Sequence, residues 1–339
     1  MQLQLVVGDF HLEPGELTGG ASDVLPRLPG FEALLRWGRR RHLPRDWRGH
    51  LAGCAGRPDL VAVPPAQVAA AAIGVVADAN PWFATPVHLT AGLDHLRLHR
   101  AGLLKLSRED LDALASDFAT VFGGSGLTLR PLLGTFVLSG LLSQEPSTLD
   151  PAAFLGADIG RAPPRGAGAA ELRRLASELE MWLHEHVVNR QRQRRGQLPV
   201  NALWVWGGGA PVTPHGLTQR ALGLPRAYAD DAYVAGLWIS SGGEAQPLPE
   251  NFATLCNALA AGETRGRVVV VLSAAARDAK DDVLPRIDAE WIAPAVAALG
   301  AGAVTRVELY CGGLWLRMAR RDRLRIWRRA RPWWEAYRA

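Results

Sequence analysis

Lysine is almost missing from this sequence. Of 38 basic residues only Lys105 and Lys280 are lysines; the other 36 are arginine. A GC-rich genome is the plain source of such a bias, so abundant arginine does not by itself name a partner. Cysteine is scarce too: Cys54, Cys256 and Cys311 lie far apart, with no C-x-x-C pair. That excludes a zinc ribbon and a disulfide framework. No apolar run approaches the ~20 residues of a membrane span. The opening MQLQLVVGDF lacks the basic end and apolar stretch of a signal peptide. A reduced, cytoplasmic protein is therefore expected. Histidine also runs out early, since none follows His215. Any site built by the last third of the chain must do without imidazole.

The chain has 339 residues, more than the roughly 250–300 at which single cores stop growing, so two domains are expected. Leu3 to Val7 reads as a first parallel strand, with Asp9 at its carboxyl end. Phe31, Leu34 and Leu35 suggest a short helix after Pro29-Gly30, and a further helix fits Ala66 to Ala72. From about Trp82 the pattern is strand, strand, helix, then a hairpin around Gly134. Ser107 is the helix's candidate N-cap, with Asp110 placed to close a capping box. Leu172, Leu175, Leu179, Trp182 and His186 fall on one helical face. Later, Arg267 to Leu272 (RVVVVL) is β-branched and uninterrupted, the mark of a strand buried on both faces. Tyr233 to Ser240 fits a strand or a helix start, Asn251 to Ala261 and Ile287 to Leu299 fit helices, and Val304 to Tyr310 and Leu314 to Met318 fit strands around Gly312-Gly313.

The centre of the sequence is HEHVVNRQRQRRGQLPVNALWVWGGG, residues 184–209. It reads as a helix end, a basic loop, a strand with two tryptophans and a glycine triplet. Strands of open α/β sheets present ligand sites at their carboxyl ends. On that rule His186, Asn189, Arg190, Arg192, Asn201 and Gly207 are the candidate ligand-binding residues. The triplet does not make a P-loop, which needs G-x-x-x-x-G-K-[ST] entering a helix; Ala210-Pro211 follows instead, so a tight turn is the expectation.

The pattern H-x-V-N-x-x-R followed by G-x-x-P-x-N-x-x-W-x-W-G-x-G, carried by His186, Asn189, Arg192, Pro199, Asn201, Trp204, Trp206, Gly207 and Gly209, resembles a motif of the archaeal-type cofactor-independent phosphoglycerate mutases of the alkaline phosphatase superfamily. It is closer still to the bacterial RpfE-type regulatory proteins. Val187 stands where a proline is usual. The resemblance implies an α/β fold: an alkaline-phosphatase-like core sheet from residues 1–80 and 200–339, interrupted by a smaller α/β domain at 81–199. It also implies two divalent metals held by Asp and His, and a Ser or Thr nucleophile, the arrangement of two-metal catalysis.

The stations for that chemistry are degenerate. The first strand ends in Gly8-Asp9-Phe10-His11, without the second Asp of the resembled pattern. RVVVVL leads into SAAARDAKDD, which has carboxylates and no histidine, and the strand at 304–310 ends without Asp-His. The resemblance thus implies a regulatory protein that binds a phosphorylated metabolite or a protein partner and needs no cofactor. The competing reading is a divergent metal-dependent mutase or phosphohydrolase, with Asp9 and Asp278 catalytic and Asp9, Asp278, Asp281 and Asp282 on a divalent metal.

The basic excess is local. From Leu314 onward nine arginines face Asp322 and Glu335, which is +7, so the rest of the chain sums to −2 against the total of +5. The expected arrangement anchors the tail's aromatics in the core and leaves its arginines in water. A nucleic-acid partner is not expected; an arginine tail that binds one is the weakest of the three readings.

Overall fold

The computed structural model describes residues 1–10, 25–76, 79–92, 95–140, 146–212, 223–260, 266–274, 283–325 and 327–337. Along the chain come β1 (Gln2–Gly8), α1 (Pro29–Trp37), β2 (Arg39–His42), α2 (Trp47–Cys54) and α3 (Pro65–Ala70). Then follow β3 (Trp82–Ala91), β4 (Leu96–Leu103), α4 (Arg108–Phe122), β5 (Thr128–Leu132), β6 (Thr135–Ser139), α5 (Ala169–His184), α6 (Val187–Arg194) and β7 (Ala202–Trp206). The last part holds β8 (Arg226–Tyr228), α7 (Ala232–Ser240), β9 (Ala245–Gln246), α8 (Phe252–Ala260), β10 (Arg267–Ser273), α9 (Val283–Ile287), α10 (Ala293–Ala301), β11 (Arg306–Cys311) and β12 (Leu314–Ala319).

Two sheets give a mixed α/β architecture. The larger runs β2-β12-β11-β1-β10-β8-β9. Its centre is parallel, with β1 between β10 and β11, and β12 and β2 add an antiparallel edge. The apolar runs of β1 and β10 are buried because helices cover both faces. Leu3, Leu5, Val268 and Val270 pack with α1, α8 and α10; Val6, Val269 and Val271 pack with α2, α3 and α7. α1 meets α10 so closely that a Cβ on Gly30 would lie 2.5 Å from the backbone of Ala293. The backbone N–H groups of Gly30 and Phe31 donate to the buried carboxylate of Asp288, at 2.9 and 2.7 Å, which satisfies the orphan donors at the start of α1. Asp288 can reach them because a π-helical turn (Asp288–Ile292) joins α9 to α10.

The smaller sheet is antiparallel, in the order β4-β3-β6-β5, with β7 also paired to β3. Its core packs against Leu111, Leu114 and Phe118 of α4 and Leu172, Leu175, Leu179 and Leu183 of α5. Ser107 caps α4 as its sequence suggests, accepting from the Asp110 backbone N–H at 3.1 Å. The Asp110 carboxylate turns to Arg192 instead of completing a capping box.

The structure differs from the sequence reading in two places. Residues 190–195, read as a basic loop, lie almost wholly in α6. His186, two residues beyond the end of α5, caps the start of α6, its Nδ1 accepting from the Val188 N–H at 3.1 Å. The strand with two tryptophans, β7, belongs to the smaller sheet, so the chain returns to the larger sheet after residue 206 and not at 200. Antiparallel pairing with β3 fixes this, from Phe83 opposite Trp206 to Val87 opposite Ala202. The rule that places sites at the ends of parallel strands does not apply to such a strand.

Candidate functional site

β1 ends at Gly8, and Asp9 follows with φ of 55°, a left-handed conformation that Asp tolerates better than most residues. This turn points its carboxylate into a cleft between the two sheets. Two adjoining cavities of about 380 and 410 Å³ share Asp9, Lys105, Asp230 and Asp231. The first reaches up to Thr85, Thr135, Asp150 and Trp206; the second runs down to Ser273 at the end of β10. This is the carboxyl end of the parallel strands, where α/β sheets place their ligands.

At the back of the cleft lies Arg48, on the first turn of α2. Its Nη1 donates to Asp150 at 2.8 Å, and its Nη2 lies 3.7 Å from Asp9. The guanidinium also rests over the rings of Trp47 and Trp206, at 4.5 and 5.0 Å from their centroids. Such stacking suits the planar arginine group. Trp47 Nε1 donates to Asp9 at 2.9 Å, and Trp206 Nε1 donates to Thr85 at 2.9 Å. Asp150 and Asp231 are further fixed as caps, accepting from the N–H groups of Ala152 and Val234. Arg48 Nε is buried with no hydrogen-bond partner among the described residues.

Charge in this pocket is finely opposed. Burial pushes the Asp9 carboxyl up to about 7; Arg48 pulls it down, Asp150 and Asp231 push it up again, and the Trp47 hydrogen bond favours its anion. Burial likewise raises Asp231 against the pull of Arg48. Burial disfavours the charge on Arg48, but Asp150, Asp9 and Asp231 together outweigh it and hold the guanidinium above its ordinary value.

The described residues of this cleft do not make the metal site that the resemblance implies. Among the described residues no group of three or more His, Cys, Asp or Glu side chains is placed to hold a metal ion. Asp9, Asp150 and Asp231 all answer to the fixed charge of Arg48, which would oppose a cation among them. Asp278, Asp281 and Asp282 lie outside the described residues.

Of the other candidates from the sequence, none lines this cleft. Asn189 donates to the carbonyls of Leu183 and Val200 and accepts from the Val200 N–H, all at 2.7–2.8 Å. Asn201 accepts from the Leu89 N–H and donates to its carbonyl, both at 2.7 Å, so its amide extends the ladder beside β3. Arg192 donates to Leu198 O at 2.9 Å and to buried Asp110 at 3.3 Å; Arg190 donates to Glu185 O. His186 Nε2 lies 3.3 Å from Asp117 while burial lowers its pKa, an effect that Asp117 opposes. Gly207 turns the chain at φ 70° and donates to Thr148 Oγ1, and any side chain on Gly208 would strike the Trp82 ring.

Arg48, Asp150 and Asp231 were not among the sequence candidates. Asp150-Pro151 and Asp231 are legible as caps. Arg48 is one of 36 arginines, and no local pattern distinguishes it.

No family model and no curated protein matches the chain. Among solved structures it is similar to a cofactor-independent phosphoglycerate mutase from Thermoplasma acidophilum DSM 1728, with 17% identity, 94% of this chain and 89% of that one covered, and a TM-score of 0.40. It is also similar to the PH0037 protein from Pyrococcus horikoshii, with 16% identity, coverage of 94% and 87%, and a TM-score of 0.48. Likeness at this distance transfers no residue roles. Among the described residues no helix is long and apolar enough to cross a membrane.

Proposed function

We propose that this chain is a phosphoglycerate-mutase-like regulatory protein, of the kind the RpfE-type resemblance implies, that binds a small phosphorylated, hydroxyl-bearing metabolite without turning it over. One observation supports this reading: among the described residues the carboxylates of the cleft gather around a guanidinium and make no metal-ligand set. Arg48 neutralises the cluster but offers no open coordination position, so it can neither activate a nucleophile nor polarise a phosphoryl oxygen as a metal does. The cleft still suits a ligand. Lys105 at its rim makes no ion pair to the described residues and is the seat for a phosphate, while the carboxylates of Asp230 and Asp231 accept from hydroxyls.

The test is metal content, then manganese- and zinc-dependent mutase and phosphatase assays, beside calorimetric titration with 3-phosphoglycerate. Binding without metal or turnover, abolished by Lys105→Ala, supports the reading. Turnover that Asp9→Asn removes overturns it. A divergent metal-dependent mutase or phosphohydrolase is the second reading, favoured by the opening of Asp9, Asp230, Asp231 and Ser273 onto one cleft.

A further inference from the structure

The arginine-rich C-terminal stretch does not act alone. It folds back beside the end of α1 and the edge strand β2, and the two together wall a cavity of about 680 Å³. Arg36, Arg39 and Arg40 line one side and Arg328, Arg329 and Arg331 the other, with Glu335 the only acid among the described residues there. The two walls are tied: Arg36 Nε donates to Arg328 O at 2.8 Å, and Arg328 Nη1 donates back to Gly38 O at 2.7 Å. Behind them the stretch is anchored, because Trp333 is buried against Phe10 and Phe31 and donates to Pro26 O. Arg39, Arg40, Arg329 and Arg331 have no hydrogen bond or ion pair to described residues through their side chains, so four cations remain for a ligand.

Four cations without a partner among the described residues, held in one groove, repel one another, and anionic charge relieves this. Trp327 lines the same cavity with 74% of its surface exposed. It stacks on no ring of the described residues, although it is among the most apolar groups on the surface. Phosphates spaced along a chain, each with a flat aromatic face beside it, complement both features, and single-stranded nucleic acid has that chemistry. We infer that the groove between β2 and the C-terminal stretch binds single-stranded nucleic acid, with arginines on phosphates and Trp327 stacked on a base. The sequence shows one wall only; the fold supplies the other.

The test uses the full chain and a labelled single-stranded oligonucleotide of about a dozen nucleotides, followed by fluorescence anisotropy across a salt series. The double variant Arg329→Glu, Arg331→Glu is expected to lose at least about tenfold in affinity, and the salt slope to fall by about 1.4, two phosphate contacts' worth. Trp327→Ala is expected to lose at least about fivefold with the slope unchanged. A control with the same charge change on the smaller domain, Arg108→Glu with Arg174→Glu, leaves affinity within about twofold. Equal loss in the control, no effect of Trp327→Ala, or tighter binding to phosphatidylserine vesicles than to the oligonucleotide would overturn the inference.

Discussion

The His186–Gly207 segment and the Asp9–Arg48 cleft both gather polar side chains in buried surroundings, and they treat them in opposite ways. In the first, His186, Asn189, Arg192 and Asn201 all find partners inside the smaller domain. In the second, carboxylates share the Arg48 cation, one arginine nitrogen lacks a hydrogen bond to any described residue, and a carboxyl sits far from its ordinary pKa. Satisfied networks specify a fold. Groups held with shifted pKa values in a cleft mark a site. A long, specific sequence pattern can thus be a record of architecture, while the cleft proposed as the site is built of residues without a shared local pattern.

Mutations should separate the two regions. The largest effect is expected from Arg192→Met. It leaves Asp110, 2% exposed, with only Arg195 at 3.7 Å. Stranding a buried charge costs about 3–5 kcal/mol, read as a shift in the urea midpoint. Asn189→Ala follows, at about 3 kcal/mol, because it orphans the Leu183 and Val200 backbone groups. Both variants, where folded, should bind ligand with wild-type affinity. Weakened binding with unchanged stability would move the site back to the motif.

The cleft should respond with the opposite sign. Asp9 has an unfolded value of 3.8 and a folded value of about 7. Between them the folded chain holds the extra proton, so stability falls as pH rises through that window and the loss is complete above it. Asp9→Asn removes this cost, keeps an acceptor for Trp47 and suits the left-handed turn. It should stabilise the protein by about 2 kcal/mol at pH 8 and by much less at pH 4. A destabilised variant at pH 8 would show that the Asp9 anion supports the fold.

Much of the fold is legible in the sequence. RVVVVL could only be a buried strand, and Ser107 announces its helix. The ambiguous stretch at 233–240 is settled as α7 by Asp231, whose cap accepts from Val234 N–H. Two features needed tertiary structure. β7 is as apolar as a core strand, and only its pairing with β3 shows which sheet it joins. Arg48 becomes distinctive through Asp150, 102 residues away, and Trp206, neither of them predictable from its neighbours. Asp9 was legible because position at the end of a first parallel strand is itself a signal.

His50 offers the smallest and most discriminating test of the balance around the cleft. It lies on α2, two residues from Arg48, but faces the other way. Its ring stacks on Tyr310 with centroids 4.4 Å apart, and the amide of Gln4 lies 2.8 Å from its Nε2. The Gln4 amide N–H donates there, which Nε2 of the neutral ring can accept and an imidazolium cannot. Burial lowers its pKa from 6.5 to about 4, against the pull of Asp46. Here the unfolded chain holds the extra proton, so stability falls as pH drops from 6.5 toward 4. The sign is opposite to that of Asp9 over almost the same window, and the two slopes oppose each other in the wild type. His50→Gln should expose the Asp9 slope, making the protein relatively more stable at pH 4.5 than at pH 6.5 by about 1 kcal/mol, discounted because the ring is half-buried. Asp9→Asn should expose the His50 slope and make acid more damaging. Unfolding midpoints measured across this range for the wild type and both variants decide it: if both variants tilt the same way, Asp9 and His50 do not oppose each other.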